Sequence, residues 1–369
     1  MNVLLIEPYY AGSHRQWADG YAAASGHNVK LLTLSGAHWK WRMHGAAITL
    51  SERFKRSEFQ PDVVLATDML DVATFVANCR ERLVNVPIVT YFHENQLTYP
   101  WSETDKDVKL NRDNHYAFIN YTSALVSNRV FFNSKYHQEA FLGALPGFLK
   151  QFPDNQNLET LDQIRSKSEV IHLGMDLARL DVLKPEDVKY EKRATILWNH
   201  RWEYDKNPEE FFSALREVKN RGWEFNLVVL GESFRESPAV FEEAKIEFDE
   251  GILHWGYVDS IEEYAHWLWR SDILPVTSNQ DFFGGSVAEA MYCNVKPLIP
   301  DRLAYPEHFP DSVRSVFLYQ EGELVSKLQR WIKDVNVLRK QQTRSFVEKY
   351  DWAIIAKEMD ERWFGLKKS

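Results

Sequence analysis

The sequence predicts an α/β protein of two doubly wound, Rossmann-like domains with parallel sheets. Three observations carry that expectation. The chain has 369 residues, enough for two domains. Short, fully apolar runs alternate with helical segments, the pattern of strands buried on both faces. And the alternation stops after about residue 176 and restarts at residue 194, so the elements fall into two sets.

The first set opens with Val3–Ile6, a strand, followed by the loop EPYYAGSH and a helix from about Arg15 to Ala24. Gly12 and His14 then sit beyond the carboxyl end of a first strand, where open α/β sheets bind ligands. VKLLTL (29–34) and PDVVLAT (61–67) are the next strands, with Asp68 and Asp71 past the second of these. A helix follows at about Val72–Arg82. VPIVTYFHENQ (86–96) is a fourth strand that ends in His93 and Glu94, so His93 shares its rim with His14. Tyr116–Val126 reads as a helix, RVFFNS (129–134) as a strand and Lys135–Leu142 as a helix. Residues 146–167 lose periodicity and read as an excursion, before the short strand EVIHLGMD (169–176).

Between these elements lies AHWKWRMHG, in which Trp39, Lys40, Trp41 and Arg42 alternate aromatic rings with cations. That alternation suits stacking on bases beside phosphates; a packing loop with buried tryptophans satisfies the same pattern. Asp105-Lys106-Asp107 resembles a metal-binding Asp-x-Asp, but it follows no apolar strand and reads as a solvated loop.

The second set starts with ATILWNHR (194–201), whose end carries Asn199, His200 and Arg201, with Lys206 in the following loop and Asn207-Pro208 opening a helix. Arg201 and Lys206 can converge on a diphosphate. FNLVVLGE (225–232), a helix at 238–247, ILHWGYV (252–258), a helix at 260–269 and DILPVTS (272–278) lead to DFFGGSVAEAM, then KPLIP (296–300) and helices to the end. In DFFGGSVAEAM, Gly284 and Gly285 mark a strand-to-helix junction whose free N–H groups suit phosphate. Asp281 precedes the turn and Glu289 lies one turn inside the helix, so both carboxylates can face one ligand.

Composition narrows the classes. The net charge of −9 argues against non-specific nucleic-acid binding by the whole surface. It is uneven: residues 1–175 hold 17 Lys+Arg against 18 Asp+Glu, and residues 176–369 hold 27 against 35, so a polyanionic partner belongs against the N-terminal half. No run of about 18 apolar residues predicts a membrane span, and the start lacks the marks of a signal peptide. Cys79 and Cys293, far apart and in apolar surroundings, fit a reducing cytoplasm.

In order, AGSH, FHEN, IHLGMD, Arg201-x4-Lys206, HWGYV and FGGSVAEAM resemble the motifs of the family 4 glycosyltransferases of GT-B fold, across essentially the whole chain. One departure is Asp281, where that family usually has the first Glu of its Glu-x7-Glu block. IEPYYAGSHRQW, AHWKWRMHGAAITLS and YFHENQLTYP are similar to the tRNA-queuosine mannosyltransferase branch.

The resemblance implies two domains facing across a cleft: an acceptor domain at 1–175, a nucleotide-sugar domain at 190–350, and a helix at 351–369 packing back on the first. It implies retaining transfer of mannose from GDP-mannose to queuosine in the anticodon loop of tRNA-Asp, with no metal and no cofactor beyond the donor substrate. Carried over by position, Glu289 holds the donor ribose, and the backbone of Phe283, Gly284, Gly285 and Ser286 with Asp281 holds hexose and phosphates. Arg201 and Lys206 neutralise the leaving diphosphate, His93 faces the donor sugar, the Gly12 loop closes over the diphosphate, and His14 lies near the acceptor. Trp39, Lys40, Trp41 and Arg42 dock the anticodon loop. Two other readings stay open: a family 4 enzyme using another nucleotide sugar on a lipid, glycan or small molecule, and a noncatalytic nucleotide-sugar or RNA-binding protein on this scaffold.

Overall fold

The computed structural model describes residues 1–101, 107, 114–231 and 238–366. The chain divides into two compact units, residues 1–175 with 352–369, and residues 176–351. The first unit holds a six-stranded sheet in the order β2-β1-β3-β4-β5-β6, formed by β1 (Asn2–Tyr10), β2 (Asn28–Ser35), β3 (Val63–Thr67), β4 (Ile88–Phe92), β5 (Arg129–Phe132) and β6 (Ser168–Val170). Every pair is parallel, with Leu4 opposite Val64 and Val89 opposite Arg129. Side chains alternate across the pleat. Val3 and Leu5 enter one core with Trp17, Tyr21 and Tyr91, whereas Leu4 and Ile6 enter another with Leu50, Phe54 and Phe75. Both faces are therefore covered, and the central strands β3 and β4 are buried along their whole length.

The first of these cores is completed by the Trp352–Phe364 helix, which contributes Trp352, Ile355, Met359 and Trp363. Asp360 accepts from Tyr21 Oη (2.8 Å), Ser25 Oγ (2.7 Å) and the Gly26 N–H (2.7 Å). Trp352 needs glycine on either side: a Cβ at Gly20 would lie 2.1 Å from its Nε1, and one at Gly174 would lie 2.3 Å from its ring.

The second unit holds β7 (Ala194–Trp198), β8 (Phe225–Leu230), β9 (Ile252–Gly256), β10 (Ile273–Pro275), β11 (Lys296–Pro300) and β12 (Leu318–Tyr319), in the parallel order β12-β11-β10-β7-β8-β9. The chain leaves β7 for β8 on one side and returns to β10 on the other. In the first unit, β1 occupies the same kind of position between β2 and β3. Such a reversal opens a crevice at the carboxyl ends of the two flanking strands.

Several elements differ from the sequence expectation. β1 continues to Tyr10, so Glu7 lies in the strand rather than in a loop, and the next helix already starts at Gly12. The Trp39–Arg42 segment is the first turn of a helix, Trp39–Arg56. The Lys135–Leu149 helix runs through Pro146, and the expected excursion contains a further helix, Thr160–Ser166. Phe148, Leu149 and Ile164 from that stretch are buried in one cluster. DILPVTS is strand only at Ile273–Pro275, with the Val276 N–H still reaching Leu298 O (2.9 Å) and the Asn279 N–H turned to Asp205 O (2.8 Å). Of the Asp105-Lys106-Asp107 stretch, the first two residues lie outside the described residues. Cys79 and Cys293 are buried free thiols.

Candidate active site

In the second unit the residues after β7 and β10 meet at the reversal point. Asn199 donates to Ser286 O (2.8 Å), and His200 Nδ1 pairs with Ser286 Oγ (2.9 Å), which ties the end of β7 to the first turn of the Gly285–Tyr292 helix. Gly284 caps that helix at φ +87°, a conformation open to glycine; a Cβ there would also press on the Tyr305 ring at 2.9 Å.

The two acids of this segment are already engaged. Asp281 Oδ1 accepts the N–H groups of Phe283 (3.1 Å) and Gly284 (2.6 Å). Its Oδ2 takes Lys206 Nζ (3.3 Å) and Tyr305 Oη (3.3 Å). Glu289 Oε1 accepts from Arg179 (2.8 Å), and Oε2 from Tyr264 Oη (2.9 Å). A carboxylate has about four lone-pair directions, so Glu289 retains capacity for further hydroxyl donors.

Lys206 departs from the expectation of a cation open to a diphosphate. Its three N–H bonds point to Gln280 O (2.9 Å), Asp205 (3.2 Å) and Asp281 (3.3 Å). Burial pulls its pKa down, but the carboxylates of Asp281 and Asp205 outweigh it and hold the ammonium above its ordinary value. Burial likewise works against the Asp281 carboxylate, and Lys206 with the Phe283 N–H keeps it below the usual range. Lys206 and Asp281 are thus a mutually satisfied pair that shapes the glycine turn. Arg201 is half-exposed and pairs with Glu203 (3.1 Å).

The Phe283–Ser286 backbone is also partly used. Phe283 N–H and Gly284 N–H serve Asp281, and Phe283 O accepts from His308 Nε2 (2.8 Å) while its ring packs on Tyr350. The first-turn amides of Gly285, Ser286 and Val287 have no carbonyl one turn back within the helix. Around them, Asn199 Oδ1, His200 Nε2 and Gln280 Nε2 are buried atoms without a hydrogen-bond partner. Native interiors rarely leave such groups unmatched, so their convergence on one strand edge marks a place for a polar ligand. His200 is neutral there, lowered to about 3 chiefly by burial and further by Lys206. The sequence places Asn199 and His200 at the end of this strand without indicating a role, and Tyr264, Gln280 and Arg179 carry no signal of their own. Arg179 fell in the stretch read as a connector, which belongs to this unit and also offers Leu180 O to Trp269 Nε1 (2.9 Å).

The first unit presents a different cluster at the ends of β1, β3 and β4. Glu7, fully buried, holds His14 Nδ1 at 3.1 Å. The His14 and His93 rings lie 4.7 Å apart, and Trp17 packs edge-on against His93 at 4.6 Å. Asp68 Oδ1 accepts the His93 N–H (2.7 Å). Burial alone would lower His14, but Glu7, Asp68 and Glu94 raise it to about 9. His93 is held well below its ordinary value by burial and by His14, and its buried Nε2 has no partner. Burial pushes Asp68 up to about 8 against the pull of His14. Gly12, exposed at φ +50°, opens the helix that carries His14, and a side chain there would meet nothing within 4 Å. The buried Glu7 was missed because an acid next to an apolar run reads as the strand's exit.

Of the four residues expected to dock nucleic acid, the structure leaves one ring open. Trp41 is 64% exposed. Trp39 packs on Tyr116 (5.2 Å) and Trp101 (6.1 Å), Lys40 pairs with Asp107 (2.6 Å), and Arg42 binds Ser35 O and Oγ (both 3.1 Å). Among the described residues no helix is long and apolar enough to cross a membrane.

Residues 181–349 match the family described as glycosyl transferases group 1. Solved structures agree along the full chain: the catalytic domain of starch synthase IV from Arabidopsis thaliana, bound to ADP and acarbose (TM-score 0.70, 14% identity, 100% of each chain), and sucrose-phosphate synthase from Thermosynechococcus elongatus (TM-score 0.67, 16% identity, 99% of each chain). The chain is a glycosyltransferase of GT-B fold. Residues 2–175 match the family described as tRNA-queuosine alpha-mannosyltransferase N-terminal. Across both units the chain is 29% identical over 358 residues, 94% of its own length and 90% of the relative's, to the tRNA-queuosine alpha-mannosyltransferase of Drosophila melanogaster. Within the GT-B glycosyltransferases it therefore stands close to the tRNA-queuosine α-mannosyltransferases.

Proposed function

We propose that the protein is a retaining mannosyltransferase that moves mannose from GDP-mannose to the cyclopentenediol of queuosine in the anticodon loop of tRNA-Asp, in the cytoplasm and without a metal. The observation that carries this reading is the match of residues 2–175 to the N-terminal family of that enzyme, since the N-terminal half of a GT-B enzyme is the one that meets the acceptor.

In this reading the second unit holds the donor. Glu289, fixed by Arg179 and Tyr264, accepts from the ribose hydroxyls. The free amides of Gly285 and Ser286 and the unmatched atoms of His200 and Gln280 receive the diphosphate and hexose. Lys206 and Asp281 keep the glycine turn in shape, and half-exposed Arg201 adds positive charge as the leaving group forms. The bond from C1 of the sugar to the phosphate oxygen breaks, and its electron pair goes to the phosphate. The acceptor hydroxyl bonds C1 on the same face, and its proton passes to the departing phosphate oxygen. The family resemblance assigns the donor sugar to His93, which burial keeps neutral, and the acceptor to His14.

Glu7, His14 and His93 offer ligand atoms within 4.8 Å of one another, so metal independence is tested at this cluster with a chelator. Incubating the enzyme with radiolabelled GDP-mannose and either queuosine-containing or queuosine-lacking tRNA tests the reading. Label is expected only in the queuosine-containing tRNA and is expected to survive a chelator; equal labelling of both, or of neither, refutes it.

A further inference from the structure

The first unit contains a cavity of about 410 Å³ at one end of its sheet, separate from the histidine cluster, whose lining combines two kinds of side chain. Tyr99, Trp101 and Phe148 supply aromatic surface, and Gln96, Asn114 and Gln151 supply carboxamides. No charged side chain is among the described lining residues. Asn114 Nδ2 donates to Gln151 Oε1 (3.3 Å), and the same pair also carries an acceptor, Asn114 Oδ1, and a donor, Gln151 Nε2. An acceptor and a donor against aromatic faces match the hydrogen-bonding edge and flat face of an unstacked base. Among the described lining residues a phosphate would meet no cation, and a lipid chain would strand the amides.

The cavity also communicates with the histidine cluster. Gln96 Nε2 donates to Glu94 Oε1 (2.9 Å), and Glu94 lies within electrostatic reach of His14 and Asp68. On the other side Trp101 carries Lys40 over its ring at 5.3 Å and touches Trp39, so the cavity borders the corner from which Trp41 projects. Resting on the proposed tRNA reading, we propose that this cavity receives a nucleobase of the single-stranded loop other than the one that is glycosylated, and thereby sets which nucleotide reaches the histidine cluster.

Gly147 makes the test clean. It lines the cavity within the Lys135–Leu149 helix, and a Cβ added there meets nothing within 4 Å, so a side chain starts from open space at this position. With full-length enzyme, GDP-mannose and queuosine-containing tRNA, Gly147→Phe is expected to raise the KM for tRNA about tenfold or more, the scale of one lost base stack. The KM for GDP-mannose and the melting temperature are expected to stay at wild-type values. Asn114→Ala/Gln151→Ala, at exposed positions, is expected to raise the same KM in the same direction. An abasic substitution at the recognised loop position should impose the loss on wild-type enzyme and add nothing to Gly147→Phe. A wild-type KM for tRNA in Gly147→Phe overturns the cavity while leaving the transfer reaction standing, and a loss that Asn114→Ala/Gln151→Ala does not share overturns base-edge recognition. If wild-type enzyme transfers nothing to this tRNA, the proposed function falls. The cavity is then judged by binding of the anticodon stem-loop RNA alone, where equal affinity of wild type and Gly147→Phe overturns it.

Discussion

The two units place a polar site at the same topological position and build it in opposite ways. In the C-terminal unit every charge near the glycine turn has its counterpart: Lys206 with Asp205 and Asp281, Arg179 with Glu289, Arg201 with Glu203. Buried hydrogen-bonding atoms on neutral side chains, Asn199, His200 and Gln280, lie beside them. In the N-terminal unit Glu7, Asp68 and Glu94 surround a single cation, His14, and a neutral His93. The first arrangement is charge-paired before any ligand arrives. The second is balanced only while one imidazole keeps its proton, which makes it the pH-sensitive half.

The comparison breaks most visibly at Lys206. Its replacement by alanine leaves two buried carboxylates without their cation, and breaking a buried pair costs roughly 3–5 kcal/mol. Thermal unfolding of Lys206→Ala should therefore show a large loss of stability along with lost turnover; unchanged melting with lost turnover would mean that the lysine serves the leaving group directly. Glu289→Ala removes the acceptor for Arg179 and Tyr264 and should lower kcat/KM for the donor by about 10- to 100-fold, on the scale of one or two charged hydrogen bonds. His200→Ala, which deletes an unmatched nitrogen, should raise the donor KM about tenfold, and it should also lower the melting temperature because the Ser286 Oγ contact goes with the ring.

On the N-terminal side the expected effect depends on pH. The pKa of His14 is raised in the folded state, so its contribution is complete below its unfolded value of about 6.5 and is lost as pH rises through about 9. Asp68, also raised by folding, changes stability in the same direction, being least costly while protonated. Denaturant unfolding between pH 6.5 and 9 should thus show falling stability, by up to about 3 kcal/mol from His14, and His14→Gln should flatten most of that slope. The smallest effect is expected at the exposed corner. Trp41→Ala should weaken tRNA binding by about fivefold without altering melting. Lys40→Ala and Arg42→Ala should each change the salt slope by less than about one unit, because both cations already have partners.

How far the sequence reveals this depends on how local the cause is. The strands are readable because covering both faces of a parallel sheet demands continuous apolar runs such as Val3–Ile6 and KPLIP. The glycine turn is readable because Gly284 needs a left-handed conformation. The partners of the charged residues are not, since Arg179 reaches Glu289 across 110 positions and the buried Glu7 meets His14 only when strand and helix fold together. Lys206 shows the same limit: a cation after a strand looks available until Asp205 and Asp281 are seen beside it. Pro146 misled for a different reason, because the helix continues only three residues past it, where neighbouring apolar residues favour burial over the lost hydrogen bond.

The C-terminal helix has a consequence for biogenesis. Residues 352–366 complete the core formed by Trp17, Tyr21 and Ile171, so the N-terminal half emerges first from the ribosome yet lacks part of its interior until the last segment is released. The intervening unit has all its strands in hand by residue 351 and can mature earlier. The order of completion is thus the reverse of the order of synthesis. Chains stopped short of Trp352 would carry an uncovered aromatic surface that quality-control machinery is suited to recognise.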